Sequence, residues 1–122
     1  MTAKIRILVA DDHPIVRDGL VTVLSTQPDF EIIGEATTGL EAVNLIQQRQ
    51  PDVLLLDLEM PELDGVAVLK RLREQQAEVR TIVFTAFDTD ERILEAVQSG
   101  AQGYMLKGAE RQELFTRRRG RV

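Results

Sequence analysis

Short apolar runs alternate with segments of helical periodicity along this chain, and that alternation constrains the fold more than any other feature. The runs are rich in residues that strands favour and lie at positions 5–10, 30–34, 53–56, 81–84 and 103–106. Between them, apolar residues recur three and four positions apart, as Val16, Leu20 and Val23 do. Strands that alternate with helices in this way pair in parallel and are joined by right-handed crossovers. The pattern predicts one α/β domain of the doubly wound kind, with a five-stranded parallel sheet and helices on both faces.

The predicted helices have recognisable starts. His13-Pro14 places a proline at a first helical position, and we interpret His13 as a helix-start residue rather than a metal ligand or a phosphocarrier. Residues 38–41 and 88–91 have the spacing of a capping box, in which the first and fourth residues each bond the other's backbone N–H. These signals divide the chain at the same points as the apolar runs.

The composition is that of an ordinary globular protein, with 43% apolar and 29% charged residues among 122. No apolar run approaches the roughly 20 residues of a membrane span, and the apolar segment near the start is too short for a signal sequence. The chain has no cysteine, which excludes disulfides and thiolate metal sites and leads us to expect a cytoplasmic location. A net charge of −5 argues against a duplex-binding surface and suits cations or basic partners.

Polar side chains stand at the carboxyl ends of the predicted strands. Asp11 and Asp12 follow the first strand, and Asp57 follows the third. Thr85 ends the fourth strand, and Lys107 follows the fifth. Open parallel sheets bind ligands beyond these ends, where the strand order reverses, and in the order 2-1-3-4-5 these groups would share one rim.

The chemistry of this set points to a metal ion and a phosphoryl group. Three ionised carboxylates repel each other and need a cation, and Mg2+ prefers oxygen ligands. An ionised Asp57 can attack a phosphoryl group without a general base. The metal, Thr85 and Lys107 could each meet one oxygen of that group.

Each of these residues also has a plainer interpretation. An Asp11-Asp12 pair ahead of a helix is commonly a cap that meets the helix dipole. Thr85 alone could be a strand former, and Lys107 alone could be a surface lysine. Their joint occurrence with Asp57 favours a phosphoacceptor site.

Four sequence blocks resemble the signature of a known family. In chain order they read LVADDHPIVRDGL, LLLDLEMPELDG, IVFTAFD and SGAQGYMLKGA. They are similar to the response-regulator receiver domain of two-component signalling, in its NarL/FixJ branch, over about residues 4–115. The resemblance implies a flavodoxin-like sheet of order 2-1-3-4-5. It also implies a domain that takes a phosphoryl group from a sensor histidine kinase and switches conformation to regulate an output, which is transcription in full-length members of this branch.

The resemblance assigns a metal site and a phosphoacceptor. It implies that Asp57 accepts the phosphoryl group and that Asp12 and Asp57 ligate Mg2+ directly. Asp11 would act through water, and the backbone carbonyl of Glu59 would complete the protein ligands.

The resemblance also assigns the switch and the partners. Thr85 and Lys107 would contact the phosphoryl group, and Tyr104 would be the aromatic residue that turns inward when Thr85 moves; plain burial beside the fifth strand is the alternative for Tyr104. Such a domain is a regulatory phosphoacceptor and not an enzyme, catalysing only its own phosphorylation and slow dephosphorylation. We expect a sensor histidine kinase as partner, a homodimer on phosphorylation, and no membrane association.

The end of the chain departs from the NarL/FixJ pattern. Proteins of that branch continue through a linker into a DNA-binding helix-turn-helix domain, whereas this chain stops at Val122. Residues 107–122 hold six basic and two acidic residues. We predict a receiver domain over 1–115 and a disordered basic tail over 116–122, which lacks interleaved aromatic residues, so we expect no nucleic-acid binding by this chain.

Two other functions compete with this hypothesis. A phosphatase of the haloacid-dehalogenase type also attacks with an aspartate after a strand, but it requires a second aspartate two residues on, where this chain has Glu59. A receiver fold that no longer accepts phosphate would lose part of the acidic set or the lysine, and Asp11, Asp12, Asp57 and Lys107 are all present here.

Overall fold

The structure is a computed structural model that describes residues 4–85 and 90–106. Its strands are β1 Ile5–Ala10, β2 Phe30–Ala36, β3 Val53–Leu56, β4 Arg80–Thr85 and β5 Gly103–Leu106. Its helices are α1 Pro14–Ser25, α2 Gly39–Arg49, α3 Gly65–Glu74 and α4 Asp90–Gln98. The five strands form one sheet in the order β2-β1-β3-β4-β5, and every pair is parallel. The predicted doubly wound, flavodoxin-like fold is therefore confirmed.

Two strands are longer than their apolar runs predict. β2 continues past residue 34 to Ala36, which pairs with Ala10 of β1. β4 begins at Arg80, opposite Val53 of β3, and ends at Thr85. A strand extends as long as its backbone N–H and C=O groups find partners on a neighbouring strand, and this does not require apolar side chains.

The sheet is buried on both faces, as a parallel sheet with crossover helices must be. Consecutive strand residues point to opposite faces, so the neighbours Leu8 and Val9 belong to different core clusters. Leu8 and Leu54 pack with residues of α2 and α3, whereas Val9 packs with Leu20 and Leu24 of α1. Covering both faces leaves the ends of the strands as the place where polar side chains can gather.

Two predicted helix starts are observed. Pro14 occupies the first position of α1 with His13 as the N-cap residue. Thr38 caps α2, because its hydroxyl oxygen accepts from the Glu41 N–H at 3.1 Å. The Glu41 carboxylate accepts from the Thr37 N–H at 2.7 Å. In a standard capping box it would accept from the N–H of the N-cap residue, Thr38, which is one residue later.

Some predictions fall outside the described residues. They concern the cap over 88–91, Lys107, and the proposed tail over 116–122. Among the helices that the structure describes, each is too short or too polar to cross a membrane.

Candidate functional site

Two buried carboxylates of the site come from adjacent strand ends. β1 and β3 pair as far as Ala10 and Leu56, and the next residues along the two strands are Asp11 and Asp57. The Asp57 N–H donates to the Ala10 carbonyl oxygen at 2.9 Å, which continues the ladder by one residue. Asp11 and Asp57 are each 1% exposed, so the sheet itself places two carboxylates side by side away from bulk water.

A backbone N–H two residues later holds one oxygen of each buried carboxylate. Asp11 Oδ1 accepts from the His13 N–H at 2.8 Å, and Asp57 Oδ1 accepts from the Glu59 N–H at 3.1 Å. Aspartate forms such local turns readily. The N-cap residue of α1 is His13, so neither Asp11 nor Asp12 occupies the N-cap position. Asp11 instead fixes the turn that leads into the helix.

Asp12 and His13 join these residues in what we call the rim cluster, formed by Asp11, Asp12, His13 and Asp57. His13 Nδ1 lies 3.1 Å from Asp11 Oδ1, 3.1 Å from Asp12 Oδ1 and 3.6 Å from Asp57 Oδ2. One ligand atom from each of the four residues lies within 4.8 Å of the others. The structure thus brings together three predicted site residues and adds His13, which sequence reasoning had placed only at the helix start.

The rim cluster fits a small divalent cation by the chemistry of its donors. Carboxylate oxygens suit hard cations, and one or two of them, with waters, are the usual protein share of a magnesium site. The side chains of Asp11 and Asp57 are 2% and 1% exposed, whereas those of Asp12 and His13 are 33% and 57% exposed. An ion would therefore reach the buried pair from the side of Asp12 and His13.

The loop after Asp57 is held close to the sheet by contacts that require glycine. A Cβ atom on Gly65, at the start of α3, would lie 2.7 Å from Leu58 Cα and 2.8 Å from the Asp57 carbonyl oxygen. The Pro61 carbonyl oxygen accepts from the Leu63 N–H at 2.8 Å around Glu62, whose φ is 71°. This tight turn brings α3 back against the backbone that carries Asp57, and Gly65 allows the close packing there.

Arg17 contacts the backbone of Asp11 on the β1 side of the site, and the sequence did not predict this role. Its Nη1 donates to the Asp11 carbonyl oxygen at 2.8 Å, and its Nε donates to Glu35 Oε1 at 3.1 Å. One guanidinium group therefore ties α1 to the carboxyl ends of β1 and β2. The only sequence signal is its position four residues after His13, which does not reveal contacts with another strand.

Two further predicted residues, Thr85 and Tyr104, lie in β4 and β5. Thr85 ends β4 opposite Leu106, and Tyr104 lies opposite Val83. Tyr104 is partly buried and packs against the core cluster that contains Val83. The structure describes the backbone position of Thr85, and Lys107, the residue after Leu106, lies outside its described part.

Comparison with known proteins identifies the family. The sequence matches the response regulator receiver domain over residues 7–119. This chain belongs to that family. Its fold agrees closely with the signal receiver domain of the putative response regulator NarL from Mycobacterium tuberculosis, with a TM-score of 0.89, 37% identity, and coverage of 94% of this chain and 93% of that one.

Two further similarities place the receiver in context. The Bacillus subtilis (strain 168) protein named uncharacterized transcriptional regulatory protein YhcZ is 43% identical over 113 residues, which are 93% of this chain and 53% of that protein. The chain therefore spans about half the length of the curated relatives it matches. A CheX–CheY–BeF3–Mg complex from Borrelia burgdorferi superposes with a TM-score of 0.87 and 25% identity, covering 94% of this chain and 87% of that one.

Proposed function

We propose that this receiver domain accepts a phosphoryl group on the Asp57 carboxylate from a sensor histidine kinase, and that the resulting change of conformation regulates an output. The observation that carries the proposal is the placement of Asp57 in the rim cluster, 1% exposed, in a chain of the receiver family. Receivers of the NarL type occur in transcriptional regulators, so transcription is the proposed output of a longer protein.

Asp57 is arranged to act as the nucleophile. One of its carboxylate oxygens is held by the Glu59 N–H at 3.1 Å, and the other, Oδ2, faces His13 within the rim cluster. Attack by an Asp57 oxygen forms the new P–O bond as the P–N bond of a phosphohistidine donor breaks, and the leaving imidazole takes up a proton. No general base is needed, because a carboxylate is already ionised at neutral pH.

The metal proposed for the site is Mg2+. Asp12 and Asp57 would ligate it directly, Asp11 would act through water, and the Glu59 carbonyl oxygen would complete the protein ligands. An ion held by these residues would neutralise charge on the phosphoryl oxygens. The BeF3 and Mg named in the complex of the similar Borrelia protein are consistent with this use of the fold.

Thr85 and Lys107 are proposed to contact the phosphoryl oxygens. Thr85 is the last residue of β4, and Lys107 follows in sequence the residue that pairs with Thr85. Ligands of open parallel sheets bind beyond the carboxyl ends of the strands, which favours both residues as contacts. Positioning and charge stabilisation are the main catalytic needs of phosphoryl transfer, and a hydroxyl and an ammonium group supply both.

The proposal also covers the class of protein, its location, its partner and its phosphorylated form. We place this domain among regulatory phosphoacceptors rather than enzymes, in the cytoplasm, with a sensor histidine kinase as its partner and a homodimer as its phosphorylated form. DNA binding would come only through an output domain of a longer protein, because the body of this chain is acidic.

Mass spectrometry after incubation with acetyl phosphate and Mg2+ tests the proposal. The parent chain should gain one base-labile phosphoryl group that maps to Asp57, and Asp57→Asn should gain none. Asp18→Asn makes the same chemical change on the exposed side of α1 and should be labelled like the parent. Unchanged labelling of Asp57→Asn would show that the acceptor lies elsewhere.

A further inference from the structure

We propose that the imidazole of His13 is a metal ligand of the rim cluster and gives this site a preference for divalent transition ions such as Mn2+ and Co2+ over Mg2+. The inference rests on the metal-binding part of the proposed function, since it concerns the same ion site. It does not require that Asp57 be phosphorylated.

The position of one nitrogen atom carries this inference. His13 Nδ1 lies 3.1 Å from Asp11 Oδ1, 3.1 Å from Asp12 Oδ1 and 3.6 Å from Asp57 Oδ2. Neighbouring ligands of an octahedral ion with bonds of about 2.1 Å lie about 3.0 Å apart. The nitrogen is therefore spaced from Asp12 Oδ1, a proposed direct ligand, as an adjacent ligand on the same ion would be, and it lies farther from Asp57 Oδ2, at 3.6 Å.

The backbone fixes His13 where its ring can serve in this way. The His13 N–H donates to Asp11 Oδ1 at 2.8 Å, and the residue occupies the N-cap position of α1 with an extended backbone at φ −94° and ψ 106°. Pro14 then locks the first turn of the helix. The ring is thus held next to the carboxylates at the start of a helix rather than on a free loop.

The same distances also suit a His13 ring whose Nδ1–H donates to the carboxylates. Such a ring would compete with the ion for the carboxylate oxygens. The two arrangements differ in their effect on metal affinity. A ligand ring strengthens binding of ions that accept nitrogen, whereas a competing ring weakens binding of every ion. Removal of the ring therefore separates them.

Ligand chemistry sets the expected selectivity. Mg2+ prefers oxygen ligands and retains several waters, so it gains little from an imidazole. Imidazole suits transition ions, whose affinity for nitrogen sites rises from Mn2+ toward Co2+ and Ni2+. A cluster of carboxylates with one imidazole should therefore favour these ions more than a cluster of carboxylates alone.

The composition of the chain makes the experiment specific. His13 is the only histidine, and the chain has no cysteine, so an imidazole signal from bound Mn2+ can arise only from this residue. The protein is prepared without a histidine tag and with 15N-labelled histidine. Pulsed EPR of bound Mn2+ then detects coupling to the labelled nitrogen, and calorimetry at one fixed pH measures the affinities for Mg2+, Mn2+ and Co2+.

His13→Phe keeps a planar ring and removes both ring nitrogens. We expect 15N coupling to Mn2+ in the parent and none in the variant, with Co2+ affinity lowered about tenfold or more and Mg2+ affinity unchanged. Absence of coupling in the parent, or a rise in Mg2+ affinity in His13→Phe, would overturn the inference.

The outcome separates this inference from the proposed function. If Mn2+ couples to His13 but Asp57 is not labelled by acetyl phosphate, the proposed function fails and the inference stands. If Asp57 is labelled in the presence of Mg2+ but no coupling is seen, the inference fails alone. If the parent binds none of the three ions, the inference and the metal-binding part of the proposed function both fail.

Discussion

The three aspartates of the rim cluster differ in their surroundings although they share one chemistry. Asp11 and Asp57 are each 1% exposed and accept a backbone N–H from two residues further on. Asp12 has a side chain that is 33% exposed and lies 3.1 Å from the His13 ring. Asp11 and Asp57 therefore stabilise the turns at the strand ends. The more exposed carboxylate of Asp12 is accessible to an ion.

This difference predicts how substitutions of Asp11 affect stability. Asp11→Ala removes the acceptor of the His13 N–H and leaves a partly buried donor without it, which should lower the free energy of unfolding by about 1–3 kcal/mol. Asp11→Asn keeps an acceptor oxygen and removes the charge, so it should cost less or even stabilise the ion-free chain by relieving repulsion. Urea unfolding in the presence of EDTA measures both. Equal losses in the two variants would mean that the hydrogen bond is not what Asp11 contributes.

At the scale of elements, the site depends on how closely α3 approaches the end of β3. Gly65 starts α3 where a Cβ atom would lie 2.7 Å from Leu58 Cα and 2.8 Å from the Asp57 carbonyl oxygen. Both contacts are with backbone, which cannot move aside as a flexible side chain can. The position of Asp57 is thus set by a helix as well as by its own strand.

The matched variants Gly65→Ala and Gly19→Ala test this dependence. Gly65→Ala should destabilise the fold by about 1–3 kcal/mol, as overpacking does, and should shift the backbone signals of Asp57. Gly19 lies inside α1 with nothing within 4 Å of an added Cβ, so Gly19→Ala should stabilise by about 0.5–1 kcal/mol. Chemical denaturation and amide NMR provide the two measurements. A neutral Gly65→Ala would mean that α3 can move without cost.

For the whole molecule, the sequence predicted what depends on periodicity and missed what depends on contacts between elements. All five strands, the starts of α1 and α2, and the joint placement of Asp11, Asp12 and Asp57 could be predicted, because strand order brings strand ends together. The ring position of His13 could not, because it depends on how the turn after Asp11 folds back. The contacts of Arg17 with Asp11 and Glu35 join α1 to the ends of β1 and β2, and the spacing of these residues in the sequence does not predict them.

The register of β4 and β5 leads to a prediction about how the site acts on the rest of the domain. Tyr104 pairs with Val83, and Thr85 pairs with Leu106, so positions 85 and 104 lie on the same face of the sheet. Tyr104 is partly buried against the core cluster on that face. A phosphoryl group on Asp57 would offer the Thr85 hydroxyl a charge-assisted hydrogen bond, roughly twice as strong as a neutral one. Movement of Thr85 toward it would open space into which Tyr104 could rotate.

Thr85→Ala should therefore separate phosphoryl acceptance from the response. The variant lacks the hydroxyl, so it should still take beryllofluoride at Asp57 in the presence of Mg2+ but show a much smaller change at Tyr104 than the parent, because a ligand shifts an equilibrium only through contacts that differ between the two states. Tyr104 is the only tyrosine, so labelled tyrosine gives a single reporter for NMR. Asp57→Asn is the control and should show no beryllofluoride-dependent change at Tyr104. Equal shifts of Tyr104 in the parent and in Thr85→Ala would show that the site reaches β5 by another route, with the backbone around Lys107 as the next place to examine.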